Sequence, residues 1–477
     1  MENEIHFGTG GWRAIIGDGF TKRNIRLVAK AMSIRIHREK VEDIPVVLGY
    51  DRRFLSKEAM IWAAEVLASD GIRTLLIGAS SPTPLVMFYT MVNHLKYGMM
   101  ITASHNPSLY NGIKVFVEEG RDANETVTAD LENIIREIGY DFPFDGVKDI
   151  AALQKEGKAE FFNPFNDYMD EIVRKIDVEA IKNAHLKVAV DPLYGVSTRS
   201  LNTFFAISRC EIEILHGNHD TLFAGKMPAP DKDTVKYLRN HVTDYSFDLG
   251  IAVDGDADRI GVVDDKGYYI SANEMLCILY YYFLEYKKMK TPIVKNLATT
   301  QVLDRIAAAY GETCYEVPVG FKYISAKMAE TGAYIGGESS GGLTVADHIN
   351  GKDAIYSAAL LVETIAKTGK KLSEFAKEVF DRFGYYRLEE QNVSFAAEKK
   401  PELMETIYQK HIVPQFDEEI ERVSFMDGCK IFFKNGDWLL IRFSGTEPLL
   451  RIFAETPEEN ADRARKYCGV VREFYHI

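Results

Sequence analysis

Short apolar runs that end in aspartate recur along the chain. They occupy residues 44–53 (IPVVLGYDRR), 186–195 (LKVAVDPLYG) and 249–259 (LGIAVDGDADR). Runs of this length that are followed by turn-forming residues are typical of buried strands. Segments with helical periodicity lie between them, and strands that alternate with helices indicate α/β domains built on mostly parallel sheets. The three similar transitions therefore predict three related α/β domains.

A helical segment follows the first of these runs. After Ser56, the apolar positions that a helix would place on one face are Met60, Ala63, Ala64 and Leu67. A serine side chain at the start of a helix can accept a hydrogen bond from a free backbone N–H of the first turn. We therefore expect Ser56 to cap this helix.

The C-terminal part of the chain has a different pattern. Asn435-Gly436-Asp437 separates two apolar runs within residues 428–444, which predicts a β-hairpin. Thr456, Pro457 and Glu459 suit the cap, the first position and the third position of a terminal helix. Antiparallel strands with a helix indicate a small α+β domain. The predicted domains are residues 1–150, 151–253, 254–385 and 386–477.

Composition and charge narrow the function classes. The chain has 477 residues and a formal net charge of −13, which argues against nucleic acid as a partner. Its start lacks a signal-peptide pattern, and its longest apolar run, residues 275–284, is too short to span a bilayer. Five cysteines lie without CxxC spacing, which is typical of reduced thiols. We expect a cytoplasmic protein that binds no membrane, and the sequence leaves its oligomeric state open.

The stretch ITASHNPSLYNGIKVF, residues 101–116, has two interpretations. Ser104, His105, Asn106 and Pro107 are ordinary turn formers, and a surface turn needs no further explanation. A nucleophilic or phosphate-carrying serine on a stiff loop, with Lys114 ten residues later, is the second interpretation. The stretch alone does not decide between them.

Three aspartates follow the third apolar run directly. Asp254, Asp256 and Asp258 alternate with Gly255 and Ala257, so an extended segment would present three hard oxygen ligands on one side, which suits Mg²⁺. An EF-hand loop is excluded because its sixth position needs glycine and here carries Arg259. A solvated acidic turn is the alternative, but three carboxylates this close repel one another unless a cation relieves the repulsion. Arg259 is placed to neutralise charge or to reach an anionic ligand.

Glycine-rich loops supply further candidate binding groups. IGGESSGGLT, residues 335–344, brings Glu338 and Ser340 between glycines that allow a close backbone approach to a ligand, although a flexible loop without function has the same composition. VPVGFKY, residues 317–323, places Lys322 after a turn. These groups are candidates for binding sugar hydroxyls or charge.

Two more segments have the composition of anion sites. RFSGTEPLLR, residues 442–451, combines the fork of Arg442 with the hydroxyls and amides of Ser444, Gly445 and Thr446. It is not a Walker loop, which needs GxxxxGK[ST]. FGTGGWRAI, residues 7–15, adds Thr9 and Arg13 beside a glycine-rich turn.

Taken in order, these segments resemble the α-D-phosphohexomutase superfamily. The family's four signatures stand here as TASHNP, DGDADR, GGESSGG and RFSGTEP, after FGTGGWR near the start, and they extend over nearly the whole chain. The resemblance implies three α/β domains and a C-terminal α+β domain around a central cleft. It also implies a mutase that interconverts hexose 1-phosphate and hexose 6-phosphate, most closely a phosphoglucomutase, with a bound hexose 1,6-bisphosphate intermediate.

The resemblance also implies roles for the residues. Ser104 becomes the phosphoserine, and it ligates Mg²⁺ together with Asp254, Asp256 and Asp258. Glu338 and Ser340 would bind sugar hydroxyls, and the phosphate that is not transferred would bind a set in the fourth signature: Arg442, Ser444, Gly445 and Thr446. Glucose 1,6-bisphosphate would serve as activator and intermediate.

The remaining groups near the serine have less definite roles. Lys114 and Arg13 are the nearest candidates to meet the sugar oxygen and the phosphoryl charge, and His105 ranks below Lys114. Thr9, Arg259 and Lys322 are expected to contact substrate.

Departures from the family pattern leave the sugar open. GGESSGG and VPVGFK are closer to phosphoglucomutases than to phosphoglucosamine mutases, which usually carry Gln-Ser-Gly-His at the third signature. Ser339 stands where many phosphoglucomutases carry a second Glu, and Gly342 where dual-specificity enzymes often carry His, which leaves His348 as a weak substitute acid or base. Glucose and mannose differ only at the 2-hydroxyl, so a phosphomannomutase or a dual-specificity mutase is also open.

Other activities fit the same motifs less well. A glucose-1,6-bisphosphate synthase or a phosphopentomutase would use the same scaffold. An aspartate-nucleophile phosphatase would use Asp254 but leaves Ser104 unexplained and needs Thr or Val where Asp258 stands. A non-catalytic sugar-phosphate sensor is disfavoured because the serine, the three aspartates and Lys114 are all present.

Overall fold

The structure, a computed structural model, describes residues 4–8, 10–443 and 449–477. The chain forms two units: the first unit contains residues 1–279 and 340–375, and the second unit contains residues 280–339 and 376–477. Among the described residues, no helix combines the length and the apolar character that crossing a bilayer requires.

Helices alternate with strands over most of the chain. The helices are α1 (Lys22–Glu39), α2 (Ser56–Ser69), α3 (Thr83–Val92), α4 (Glu125–Ile138), α5 (Ile150–Lys155), α6 (Phe165–Lys175), α7 (Val178–Ala184), α8 (Thr198–Ile207), α9 (Lys236–Asp244), α10 (Ala272–Tyr281), α11 (Val302–Ala309), α12 (Phe321–Thr331), α13 (Ala354–Thr368), α14 (Leu372–Phe383), α15 (Lys400–Met404) and α16 (Ala461–Tyr475). Along the chain, α10 and α14 pass from one unit to the other.

The first sheet belongs to the first unit. Its strands are β1 (Phe7–Gly8), β2 (Gly11–Ile15), β3 (Val46–Tyr50), β4 (Thr74–Ile77), β5 (Tyr97–Ile101), β6 (Tyr110–Val117), β7 (Arg121–Asp122) and β8 (Ala159–Phe162). The order is β1-β2-β6-β5-β3-β4-β8, and β7 pairs with β6. β5, β3, β4 and β8 are parallel, whereas β6 runs antiparallel to β5. The parallel strands β3 and β5 therefore end at the same edge, where functional loops are expected.

The second sheet also belongs to the first unit. Its strands are β9 (Lys187–Asp191), β10 (Glu211–Ile214), β11 (Leu249–Val253), β12 (Ile260–Asp264) and β13 (Tyr269–Ile270), in the order β10-β9-β11-β12-β13. β11 is parallel to β9 and antiparallel to β12. The sheet thus continues past residue 254, where the apolar pattern predicts a boundary, because the aspartate-rich segment is a tight turn within the sheet. The three predicted boundaries between the four domains stay predictions.

The remaining strands complete the α/β part and the C-terminal part. They are β14 (Ile293–Asn296), β15 (Cys314–Val317), β16 (Ile335–Gly337), β17 (Leu343–Val345), β18 (Tyr386–Ser394), β19 (Ile420–Ser424), β20 (Cys429–Phe433), β21 (Trp438–Phe443) and β22 (Leu449–Pro457). In the second unit β14 pairs in parallel with β15 and β16. The C-terminal sheet has the antiparallel order β18-β22-β21-β20-β19. β20 and β21 confirm the predicted hairpin at Asn435-Gly436-Asp437.

Two helix starts differ from the sequence prediction. The cap position of α2 is Leu55 rather than Ser56, because the Ser56 hydroxyl donates to the buried Asp51 carboxylate at 2.6 Å. The terminal helix α16 begins at Ala461 because β22 extends through Pro457 and a 3₁₀ turn, Glu458–Asn460, follows it. A buried side-chain partner and a longer strand outweigh the local capping signals.

Candidate active site

Ser104 lies on a tight turn between β5 and β6. It is buried, and its backbone is in the left-handed region, with φ of 53°. That conformation is uncommon for a residue with a side chain, so the surrounding contacts have to maintain it. One such contact is the Ser104 N–H, which donates to the Thr102 hydroxyl at 2.8 Å.

The Ser104 hydroxyl lies between two polar groups. It donates to Asp254 Oδ2 at 3.1 Å, and His105 Nδ1 lies 3.3 Å from the same oxygen. Asp254 is 150 residues away in sequence and lies on the loop between two strands of the second sheet, in the same unit. The structure thus joins the serine loop to the aspartate loop, as the interpretation of Ser104 as a phosphate carrier requires.

The aspartate loop connects β11 with β12. The backbone amides of Asp258 and Arg259 both donate to Asp254 Oδ1, at 2.9 and 3.0 Å, and hold the loop in a closed turn. Carboxylate oxygens of Asp254, Asp256 and Asp258 lie within 4.8 Å of one another, and all three residues are buried. Three carboxylates at this spacing can hold a metal ion.

Lys114 is the main positive charge that contacts this cluster. Its ammonium donates to Asp256 Oδ2 and to Asp258 Oδ2, both at 2.7 Å, and its side chain is 5% exposed. Burial alone would lower the pKa of Lys114, but Asp256, Asp258 and Asp122 raise it above its ordinary value. Lys114 is therefore a protonated partner of the cluster.

The pKa values of Asp254 and Asp258 are shifted in opposite directions. Burial, followed by repulsion from Asp256 and Asp258, raises the pKa of Asp254 well above its ordinary range. Burial acts in the same direction on Asp258, but Lys114, Lys352 and Arg259 outweigh it and hold the pKa of Asp258 well below that range. The repulsion within the cluster therefore raises the proton affinity of Asp254.

The donor set fits a hard divalent cation. Within the described part of the chain, Asp256 Oδ1 and Asp258 Oδ1 are buried and have no hydrogen-bond partner. A buried carboxylate oxygen without a partner is costly, and a bound cation would remove that cost. Lys114 occupies Oδ2 of Asp256 and of Asp258, so Oδ1 of each is available as a ligand, and Asp254 Oδ2 faces the same site through its contact with the Ser104 hydroxyl.

Two arginines complete the positive surroundings. Burial and the nearby Arg259 lower the pKa of the Arg13 guanidinium. Arg259, followed by burial and Arg13, lowers the pKa of His105 well below its ordinary range. The Nε atoms of Arg13 and Arg259 are buried, and neither has a hydrogen-bond partner among the described residues, although Arg259 Nε lies 3.8 Å from Asp258 Oδ1. This positive field suits a phosphoryl group beside Ser104.

Some residues at the cluster carry no sequence signal. Lys352 Nζ lies 3.2 Å from Asp258 Oδ2, and the Thr83 hydroxyl donates to Asp256 Oδ2 at 2.6 Å. Both residues come from distant parts of the chain and belong to none of the motifs. Arg53 lies three residues after β3, and its position just beyond the carboxyl end of a strand is the signal that could have drawn attention to it.

His348 is an internal structural residue. Its Nε2 lies 2.7 Å from Asp353 Oδ2, its ring stacks on Tyr356 at 4.2 Å, and its side chain is 1% exposed. The Tyr168 hydroxyl donates to the same Asp353 oxygen at 2.7 Å. These contacts do not support the idea that His348 replaces a catalytic acid or base.

The other predicted binding residues fall into three groups. Glu338, in the second unit, is buried and accepts from the Asn296 amide at 3.3 Å, whereas Ser340 is exposed and belongs to the first unit. Lys322 lies near the start of α12, with its ammonium 5.2 Å from the centre of the Tyr323 ring. Outside the described residues lie four predicted positions: Thr9, Ser444, Gly445 and Thr446.

Arg442 is fixed within the second unit by a carboxylate. Its Nε donates to Asp427 Oδ2 at 3.0 Å, and the Val319 N–H donates to the same oxygen at 2.9 Å. One carboxylate therefore orients the arginine and anchors the loop that precedes Lys322.

Family models match almost the whole chain. They are described as phosphoglucomutase/phosphomannomutase alpha/beta/alpha domain I over residues 4–141, domain II over 166–267, domain III over 271–383, and the C-terminal domain over 390–472. A phosphoglucomutase/phosphomannomutase from Thermococcus kodakarensis is 31% identical over 97% of this chain and 96% of its own length. This chain belongs to the phosphoglucomutase/phosphomannomutase family.

Membership of the phosphoglucomutase/phosphomannomutase family confirms the four-domain fold class, with three α/β domains and a different C-terminal domain. It also confirms the prediction that the protein is a mutase, that is, an intramolecular phosphotransferase. A phosphoglucosamine/phosphogalactosamine mutase from Sulfurisphaera tokodaii is 30% identical over 95% of this chain and 96% of its own length. A phosphoglucomutase/phosphomannomutase family protein from Burkholderia thailandensis, 22% identical, shares the fold with a TM-score of 0.82 over 100% of this chain and 98% of its own. Relatives in this family thus carry names for different sugars.

Proposed function

We propose that this chain interconverts glucose 1-phosphate and glucose 6-phosphate through a phosphoserine at Ser104 and a bound glucose 1,6-bisphosphate. The observation that carries this proposal is the contact of the Ser104 hydroxyl with Asp254, within a buried carboxylate cluster in which two oxygens have no hydrogen-bond partner among the described residues. A serine that only formed a surface turn would not need this buried surrounding.

Asp254, Asp256 and Asp258 would hold Mg²⁺ together with Ser104. When bound, the metal supplies positive charge that offsets the charge of the transferring phosphoryl oxygens. Lys114 stays protonated and adds a fixed positive charge beside the cluster. Arg13 and Arg259 contribute two more charges, and their guanidinium groups can bind phosphoryl oxygens directly. Phosphoryl transfer depends mainly on such positioning and charge.

Proton transfer to and from the sugar oxygen needs a separate group. The candidates are Lys114, which contacts the aspartates, and His105, which lies beside the Ser104 hydroxyl. The pKa of His105 is lowered, whereas the pKa of Lys114 is raised. The lowered pKa of His105 favours a neutral imidazole, which can accept a proton, whereas Lys114 favours retention of its proton. His105 and Lys114 therefore both stay candidates for the proton transfer, and Lys114 also serves as a charge partner of the aspartates.

The sugar and its second phosphate would bind groups outside the cluster. Glu338 and Ser340 would bind sugar hydroxyls, and Lys322 would contact the phosphorylated sugar. Arg442 would bind the phosphate that is not transferred, together with residues of the fourth signature: Ser444, Gly445 and Thr446. The orientation of Arg442 by Asp427 supports this role, since it fixes the plane of the guanidinium.

Glucosamine phosphate is a second candidate substrate. The relative named as a phosphoglucosamine/phosphogalactosamine mutase favours it, at nearly the same identity as the relative named as a phosphoglucomutase/phosphomannomutase.

The free cysteines, four of them buried, further support a reducing, cytoplasmic location for either activity.

Two measurements test the proposed function. A coupled assay compares the 1-phosphates of glucose, mannose, glucosamine and ribose, and glucose 1-phosphate is expected to give the highest kcat/KM. Intact mass after incubation with glucose 1,6-bisphosphate is expected to show one added phosphate in the wild type and none in Ser104→Ala. Full activity of Ser104→Ala would contradict the phosphoserine mechanism.

A further inference from the structure

Arg53 is buried beneath the loop that carries Ser104. It lies three residues after the end of β3, and its Nε forms an ion pair with Asp51 at 3.4 Å, in which both side chains are 0% exposed. The backbone N–H of Arg53 also donates to Asp51 Oδ1 at 2.9 Å. A buried arginine of this kind is held in one place by its counterion and by its own backbone.

The guanidinium donates four hydrogen bonds to the backbone of the serine loop. Nη2 donates to the carbonyl oxygens of Ser104 and Asn106, at 2.6 and 2.5 Å. Nη1 donates to the carbonyl oxygens of Pro107 and Tyr110, at 2.8 and 2.9 Å. One side chain therefore binds four carbonyl groups over seven residues. The position of the guanidinium constrains the backbone of this loop.

The Ser104 carbonyl is confined from a second side by the aspartate loop. A Cβ atom placed on Gly255 would lie only 2.8 Å from the Ser104 carbonyl oxygen. The carbonyl is thus enclosed between the Arg53 guanidinium and the backbone at Gly255. Because Ser104 has an unfavourable left-handed backbone, these two contacts fix the direction of its side chain.

We infer that Arg53 is a positioning residue for phosphoryl transfer, acting on the Ser104 hydroxyl through the backbone of residues 104–110. This inference rests on the proposed role of Ser104 as the phosphate carrier. The Arg53 side chain is enclosed by protein and acts through Ser104 rather than on substrate. Small displacements of a reacting atom have large effects on rate, so the loss of this fork affects the transfer step.

Lysine cannot reproduce these contacts. An ammonium group has three donors on one nitrogen, whereas the guanidinium presents its donors from a planar fork. Arg53→Lys therefore keeps the positive charge beside Asp51 but cannot bind all four carbonyl groups. This variant separates the charge of Arg53 from its geometry.

The test measures the phosphorylation of Ser104 over time by intact mass, with glucose 1,6-bisphosphate as the donor. In Arg53→Lys the rate of phosphorylation and kcat are expected to fall by about tenfold or more, with KM for glucose 1-phosphate within about twofold of the wild-type value. Arg239→Lys is the matched control, since Arg239 binds the Gly267 carbonyl at 2.7 Å in the same unit. The control is expected to keep the wild-type rate.

A second variant covers the case in which Arg53→Lys does not fold. Arg53→Ala is assayed with and without added guanidinium ion at a non-denaturing concentration, and partial recovery of the phosphorylation rate is expected. The same ion is expected to leave Arg239→Lys and Ser104→Ala unchanged. Recovery of the rate in Arg53→Ala alone would show that the missing guanidinium caused the defect. A general loss of stability would not produce such selective recovery.

The outcomes distinguish this inference from the proposed function. Arg53→Lys with wild-type phosphorylation kinetics, or a fall in rate matched by an equal rise in KM, would overturn the role of Arg53. Arg53→Ala without recovery would also count against it. A wild-type protein that takes up no phosphate at Ser104 would instead overturn the proposed function.

Discussion

Single oxygens decide the chemistry at the carboxylate cluster. Asp256 gives one oxygen to the Thr83 hydroxyl and the Lys114 ammonium, while its other oxygen has no partner in the described part of the chain. Asparagine has the same size as aspartate but no charge, so its substitution for Asp256 tests whether that second oxygen binds a metal.

Asp256→Asn is expected to raise the Mg²⁺ concentration for half-maximal activity by about tenfold or more, because a charged ligand is replaced by an amide. Turnover falls in parallel, and excess Mg²⁺ restores part of it. The measurement is activity against Mg²⁺ concentration after treatment with EDTA. Asp264→Asn is the control, since Asp264 is a buried aspartate of β12 whose Oδ1 accepts from the backbone N–H groups of Lys266 and Tyr268. Wild-type activity that survives complete removal of divalent metal would contradict the metal site.

Individual residues also show how far the sequence can be read. The types and spacing of Ser104, Asp254, Asp256 and Asp258 are sufficient to propose phosphoryl chemistry, because few other sites need this combination. Lys352 could not be found in the same way, because nothing in its neighbourhood distinguishes it from a surface lysine. Its proximity to Asp258 depends on the packing of a distant loop.

Elements meet at the site through close backbone contacts. The segment after β9 packs directly on the aspartate loop, and the Val196 N–H donates to the Gly255 carbonyl at 3.2 Å. A Cβ atom on Gly195 would lie 2.8 Å from the Gly255 oxygen and 2.9 Å from the Asp254 oxygen. The absence of a side chain at Gly195 therefore keeps the aspartate loop in place.

Gly195→Ala is expected to displace the aspartate loop and to lower Mg²⁺ affinity and turnover together by about tenfold. The added methyl group has only backbone atoms to push against, which cannot move aside as a flexible side chain would. Isothermal titration with Mg²⁺ and the coupled assay measure the two effects. Gly78→Ala is the control, since its Cβ would meet its nearest atom at 3.6 Å. Unchanged Mg²⁺ affinity in Gly195→Ala would show that the loop tolerates the displacement.

Strands and turns were easier to predict than helix ends. The hairpin at Asn435-Gly436-Asp437 needs only local turn chemistry and is found in the structure as expected. Ser56 and Thr456 have equally good local signals as caps but serve other partners, the Asp51 carboxylate and the Asn460 carbonyl. A capping residue competes with tertiary contacts that the local sequence does not reveal.

At the scale of the whole molecule, charge is distributed unevenly. The chain carries a formal net charge of −13, yet the carboxylate cluster is surrounded by basic side chains: Arg13, Arg53, Lys114, Arg259 and Lys352. A globally acidic protein can therefore bind an anionic substrate, because the local field at a buried site outweighs a distant surface charge.

Each unit also contains buried charge of its own. In the second unit, Lys430 donates to the Leu297 carbonyl at 2.7 Å and to Glu316 at 2.5 Å, and lies 4.4 Å from the centre of the Trp438 ring. Burial is the largest effect, and it lowers the pKa of Lys430 from 10.5 to about 8 although Glu316 opposes the change. Folding therefore makes this lysine release its proton more easily.

The stability of the second unit is expected to rise with pH between about 8 and 10.5 through Lys430. In that window the unfolded chain binds one more proton than the folded chain, so the free energy of unfolding gains at most about 1.4 kcal/mol per pH unit. Urea denaturation at a series of pH values measures this slope. Lys430→Met is expected to lack the rise, whereas Lys434→Met, at an exposed position of the same hairpin, is expected to keep it. Equal slopes in all three proteins would show that Lys430 keeps an ordinary pKa.

The pairing of Lys114 with its aspartates also has a consequence for synthesis of the chain. Lys114 precedes Asp256 and Asp258 by 142 and 144 residues, and β8, the last strand of the first sheet, ends at Phe162. A ribosome that adds about 5–20 residues per second needs roughly 7–28 s to make the intervening segment. For that interval the nascent chain contains the lysine without the two carboxylates, and we expect water to solvate the ammonium until the second sheet emerges.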